Sequence, residues 1–242
     1  MKMKVTFFLA LLFVLTGCSN KLFMSQNNQK LKYHKKQYGV IQAGDLYWMS
    51  ENLATTTYRS GKKIPLITDY NIWPEMMKPA CGYYKNDTSN FRKYGLLYNW
   101  YAVNTGKVCP AGWKVPSHEE WLKLEEFLGG EKIAGGKMKA VTGWKRGHVS
   151  GDDIGFKALP GGYRLNDDFL EGFEGIWWTR TEADASYFQK VEMNDAYKDL
   201  LSGNIIYIWG RKIYYNSSEL VTTLNQRENG FSVRCVRSKK TK

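Results

Sequence analysis

CPAGWKVPSHEEWLKLEEFLGG, residues 109–130, joins a cysteine, a tight turn, a tryptophan and a complete helix start in one unit. Cys109-Pro110 closes one element and Gly112 supplies a turn. Trp113 and Val115 alternate as in a short strand, and Pro116-Ser117 prepares a helix. Ser117 and Glu120 form a capping box, each able to satisfy a backbone donor that the first turn leaves unpaired. Trp121, Leu124 and Leu128 then recur at i, i+3 and i+7 on one face, and Gly129-Gly130 ends the helix. None of this is catalytic chemistry; the segment specifies architecture.

Far upstream, Lys2 and Lys4 precede an apolar stretch from Val5 to Leu15, which leads into Leu15-Thr16-Gly17-Cys18. As a helix these eleven residues rise only about 16 Å, short of the roughly 30 Å hydrocarbon core. A secretion signal over residues 1–17 is the expectation, not a membrane span. Leu-Thr-Gly-Cys resembles the bacterial lipobox, which implies lipidation at Cys18 and cleavage before it. That places the protein in an envelope, anchored to a membrane, with outer membrane favoured because Ser19 is not the aspartate of an inner-membrane retention signal. Cleavage would take 17 of the 242 residues and two lysines, lowering the formal charge from +12 to +10.

This basic balance does not point to nucleic acid, because the lysines are scattered and no basic helix or zinc-ligand pattern accompanies them. It suits a solvated surface facing anionic lipid, polysaccharide or phosphate-bearing polymer. Ser19 to Lys36 is polar and amide-rich, so a tether is expected over 18–36. The apolar runs of YGVIQAGDLYWMSENL, separated by Gly44-Asp45, read as strand, turn and strand, and the domain is expected over 37–237. Residues 54–93 are divided by Gly61, Pro65, Pro74, Pro79 and Gly82 and read as irregular. Leu97 to Val103 reads as a buried helix. Short strands follow in GFKALPGGYR (155–164), GIWWTRT (175–181), NIIYIWG (204–210), KIYY (212–215) and GFSVRCV (230–236). In the last, Phe231, Val233 and Cys235 alternate with Ser232 and Arg234. Helices early and strands late indicate α+β, with a basic tail at 238–242.

In this order, VIQAGDLYWMSENL, PACGYYKNDTSNFRKYGLLYNWYAV, VCPAGWKVPSHEEWLKLEEFLGG, GFKALPGGYR, GIWWTRT and GFSVRCVR resemble the Fibrobacter succinogenes major paralogous domain. The resemblance implies a C-type-lectin-like fold, shared with formylglycine-generating enzymes: two early helices packed on a twisted antiparallel sheet, with long irregular loops. It also implies a disulfide from the end of the first helix to the last strand, which maps onto Cys109 and Cys235. Cys81 is then left as a buried small hydrophobe; alternatively it pairs with Cys109 or Cys235.

The residues offer little for catalysis. His118-Glu119-Glu120-Trp121-Leu122 begins like a zinc-protease helix but has leucine where the second imidazole must stand, so His118 and Glu119 read as solvated first-turn residues. No metal site and no cofactor are expected. The calcium-dependent lectin tripeptides are missing, as is the reactive cysteine pair of the formylglycine-generating enzymes, so neither activity carries over. Asp152, Asp153, Asp167 and Asp168 flank GFKALPGGYR, and an alternative is a glycan-acting enzyme built on them, which would require a pair to converge at roughly 5 to 9.5 Å. Such aspartates also form turns.

Trp48, Trp100, Trp113, Trp121, Trp144, Trp177 and Trp178 fall in the family-like blocks and read as core. Trp73, Tyr83, Tyr84, Trp209, Tyr214 and Tyr215 lie in loop-like or late hairpin segments, beside polar residues such as Asn86, Asp87 and Asn216, and could stack on sugars or a partner. The expected function is therefore a non-enzymatic, lectin-like binding module for polysaccharide, peptide or an envelope protein. A structural subunit of a surface complex is the other alternative.

Overall fold

The computed structural model of the chain describes residues 29–69, 71–145, 151–164, 173–183 and 206–239. The expected hairpin around Gly44 forms: β2 (Lys36–Ala43) and β3 (Leu46–Met49) pair antiparallel with Ala43 opposite Leu46. Gly44 takes φ +57°, a conformation that residues with a Cβ rarely adopt. Outside β2 lies β1 (Gln29–Tyr33), paired from Gln29↔Val40 to Tyr33↔Lys36. The tether expected over 18–36 is thus already sheet at Gln29. Polar composition argued against it, but Leu31 and Tyr33 supply one inward face: Leu31 packs on the core, and Tyr33 is buried with its hydroxyl donating to Val108 O at 3.1 Å.

On the other side of β3, the C-terminal strand β9 (Val236–Ser238) completes a four-stranded sheet in the order β1-β2-β3-β9. A two-stranded ladder joins β4 (Cys81–Gly82) to β5 (Leu97–Tyr98). A third antiparallel sheet contains β6 (Glu174–Glu182), β7 (Ile208–Tyr214) and β8 (Val221–Asn225). Ile208–Gly210 of NIIYIWG and Lys212–Tyr214 of KIYY are therefore one strand, continuous through Gly210, while Asn204 and Ile205 lie outside the described residues. A side chain at Gly210 would collide with Asn225 Nδ2 at 2.6 Å and Thr223 Oγ1 at 2.8 Å.

The helices are few and short. The Leu97–Val103 run splits into β5 and α2 (Trp100–Asn104), because Asn99 caps the helix by accepting from the Ala102 amide, while its extended backbone ends the strand. Before it comes α1 (Asn90–Tyr94). The expected helix is α3 (His118–Phe127), with both bonds of the Ser117–Glu120 box formed and Trp121, Leu124 and Leu128 buried. Burying each of those side chains stabilises the fold by about 1.5–3 kcal/mol. A helix not anticipated from sequence, α4 (Glu131–Met138), starts straight after Gly130.

The core has two main parts, and the β6–β7–β8 sheet contributes to both. Ile176, Trp178 and Ile208 join Tyr38, Tyr98, Trp100 and Trp113. Trp177 and Ile213 join Trp48, Trp121, Trp144 and Phe156. All seven tryptophans expected in the core are buried. GFSVRCV alternates in polarity but not in burial: Ser232 and Arg234 are each only 1% exposed. The segment is enclosed on both sides, with Phe231 bridged to Tyr98 and Ser232 to Trp177. Arg234 survives burial by donating to Asn52 Oδ1 and to the carbonyls of Met49, Phe156 and Lys157. Cys109 and Cys235 form a disulfide with Cα atoms 5.9 Å apart. Cys81 is a buried free thiol, its pKa pushed up to about 12 by burial.

Candidate functional site

The aromatic residues singled out in the sequence do not make one surface. Trp73 is buried, with its indole donating to Glu228 O at 2.9 Å and the Arg164 guanidinium 4.4 Å from its ring. Tyr84 is buried edge-on against Tyr94, and half-buried Tyr83 meets Phe91 edge-on. Trp209 is buried and stacked on the His118 ring at 4.8 Å. Only Tyr214 is exposed, with Lys212 Nζ 4.7 Å from its ring, while half-buried Tyr215 sits edge-on to Phe173. Trp73, Tyr83 and Tyr84 lie in the irregular region before α1 and turn their rings toward the interior, while Trp209 lies on a buried position of β7. Asn86 and Asp87 are likewise engaged, Asn86 with Thr68 O and Asp87 with Ser89.

His118 is not simply solvated: besides the Trp209 stack, its amide donates to Thr181 Oγ1, and burial with nearby Arg211 lowers its pKa. Asp152 Oδ1 accepts the Lys157 amide at 2.8 Å and its pKa is raised by burial, so it acts as a turn former. Asp167, Asp168 and Cys18 lie outside the described residues. Among the described residues, no group of three or more His, Cys, Asp or Glu side chains is arranged to hold a metal.

A groove of about 1120 Å³ opens elsewhere, where the β2–β3 turn, α3 and the end of β9 meet. Pairing of Tyr47 with Arg237 across β3 and β9 brings together residues far apart in sequence. The Arg237 guanidinium lies 4.8 Å from the Tyr47 ring centroid and 5.2 Å from that of Trp113. Stacking of this kind orients the guanidinium and is worth about 0.5–1 kcal/mol when exposed. Arg237 Nε is buried beneath this stack and meets no acceptor among the described residues. Phe127 supplies an apolar wall, and Asp45, Lys123, Glu126 and Lys239 supply charge around the opening.

Glu120, also on the wall, is already committed: one carboxylate oxygen accepts the Ser117 amide at 2.9 Å and the other pairs with Lys114 at 2.9 Å. The groove thus offers an aromatic-held cation, a phenol ring, an apolar wall and charges of both signs. Such a lining can hydrogen-bond hydroxyls or carboxylates while stacking on a flat apolar face. Sequence reading missed it because Tyr47 and Arg237 follow no local pattern. The one available signal was strand alternation, which turns Tyr47 away from buried Trp48 and Arg237 away from buried Val236.

Mixed α and β structure with antiparallel sheets, closed by its own C-terminal strand and bearing a groove beside that closure, defines a compact domain class rather than a reaction. The chain belongs to the Fibrobacter succinogenes major domain family, whose sequence model matches residues 41–237. No match was found among curated proteins or solved structures.

Proposed function

We propose that the protein is a membrane-anchored envelope lipoprotein with a C-type-lectin-like fold that acts as a non-enzymatic binding module for polysaccharide, peptide or a partner protein. The observation that carries this reading is the groove at the β3–β9 junction, where the Arg237 guanidinium is held beside two aromatic rings. Its volume, about 1120 Å³, exceeds the few hundred Å³ of many metabolite pockets and suits several sugar units or a short peptide. The lectin-like assignment draws support from the strand closure between chain ends and from the Cys109–Cys235 link. The lipobox-like Leu15-Thr16-Gly17-Cys18 supports the anchor.

The test is a glycan and peptide array probed with the chain from Ser19 onward, which retains every described residue, followed by titration calorimetry on the hits. Arg237→Ala and Tyr47→Ala should each weaken a hit about tenfold or more, while Asp152→Asn should not. Binding indifferent to both groove substitutions would reject this site. Release of reducing ends that Asp152→Asn abolishes would favour the enzyme alternative.

A further inference from the structure

We infer that the tip of the β1–β2 hairpin, with the two loops packed beside it, is a docking face for an anionic lipid surface, and that it holds the groove away from the bilayer. This rests on the lipid anchor proposed above, but its own evidence is separate. Three stretches meet at this end of the molecule. Tyr33 reaches from the end of β1 to Val108 O, the Arg59 amide donates to Lys107 O at 3.0 Å, and the Tyr58 amide donates to Lys62 O at 2.9 Å. Arg59 stands near enough to Tyr33 to act electrostatically on its hydroxyl. Lys30, Lys32, Lys35, Arg59, Lys62 and Lys107 are all exposed.

What makes this face predominantly basic is the scarcity of acids: residues 29–40, 54–66 and 104–110 contain no aspartate or glutamate, and Glu51, which accepts the Gly39 amide at 2.7 Å, is half-buried. Elsewhere in the described fold several lysines and arginines are matched, as in Lys132–Glu219, Lys114–Glu120 and Arg227–Glu182. Clustered cations near a membrane gain by attraction to anionic headgroups, and the gain adds per residue.

The occupant is set by chain length. Only eleven positions separate Cys18 from Gln29, so even a fully extended connection keeps the start of β1 within about 40 Å of an acyl chain on Cys18. Membrane is the anionic surface that such a chain cannot escape. The hairpin tip lies at one end of β2 and the groove turn at Gly44-Asp45 lies at the other. At about 3.3 Å per residue, β2 separates them by roughly 25 Å. A basic tip resting on headgroups would therefore present the groove outward.

Unlipidated protein beginning at Ser19 is mixed with vesicles of phosphatidylcholine alone or of equal phosphatidylcholine and phosphatidylglycerol, and the bound fraction is read by sedimentation. Binding to the mixed vesicles only, falling with salt, is expected. The combined Lys30→Glu, Lys35→Glu, Arg59→Glu variant should lose about a hundredfold in partitioning, while Lys123→Glu with Lys239→Glu at the groove should not. Equal partitioning of the first variant and wild type, no binding to mixed vesicles, or tighter binding to polygalacturonate that displaces the vesicles would overturn the inference. Because this protein carries no lipid, the outcome is independent of the anchor, which is read separately from the mass of the native mature N-terminus.

Discussion

Lys139 is fully buried at the end of α4, where its ammonium donates to the carbonyls of Tyr215 and Ser217 at 2.8 and 2.6 Å and lies 5.1 Å from the Trp144 ring. It ties the end of a helix to the turn after β7. Burial pulls its pKa from 10.5 down to about 8. Between those values the unfolded chain holds a proton that the folded chain has released, so this group makes stability rise with pH across that window. Below pH 8 the cost of burying the charge is present in full. Urea titrations should show wild type gaining about 1–2 kcal/mol on Lys139→Met between pH 7.5 and 10; parallel pH dependence in the two proteins would refute the role. Arg234 carries the same lesson at a neighbouring scale of burial. An arginine can be interior wherever carbonyls gather to accept from it, and carbonyls gathered from residues 49, 156 and 157 are invisible in a local window.

Among elements, α3 was legible in detail because its cap, its apolar stripe and its terminating glycines are all local. α4 was not, since EKIAGGKM carries two mid-helix glycines, each of which ordinarily disfavours a helix by about 1 kcal/mol relative to alanine. Their reason is packing. A Cβ on Gly135 would stand 2.2 Å from Glu219 O, and one on Gly136 would be 3.0 Å from Ser218 Oγ. The usual gain from replacing a helical glycine is thus reversed at position 135, where the obstruction is backbone. Gly135→Ala should lower stability by about 2 kcal/mol or more, measured by thermal or urea unfolding. A stabilised variant would show that the α4 contact with residues 218–219 is not as described.

For the whole molecule, the disulfide joins residues 126 apart. In the chain-entropy account, closing a loop of that length contributes about 4–5 kcal/mol, a large share of the stability of an ordinary domain. Cys235→Ala, or reduction of the folded protein, should lower the urea midpoint sharply while leaving the β3–β9 pairing in place under native conditions. Amide exchange at Met49, whose N–H donates to Cys235 O, reads that pairing. Unchanged stability after reduction would show that the strands alone hold the chain ends together.

Composition and local pattern were enough to set the class of the protein: a basic chain with a strand–turn–strand start, a capped helix at its centre and tryptophan-rich blocks of one family. Those features depend on residues within a few positions of each other, and short-range periodicity records them. The location of the groove, the burial of Trp73, Tyr84 and Trp209, and the folding of Gln29–Tyr33 as an edge strand depended on tertiary contacts. Each is decided by partners 75 to 190 residues away: Val108 for Tyr33, Glu228 for Trp73, Arg237 for Tyr47. Polarity and alternation rank a side chain's preference for water, but whether a loop aromatic becomes a wall of the core or a face for a ligand is settled by what folds against it.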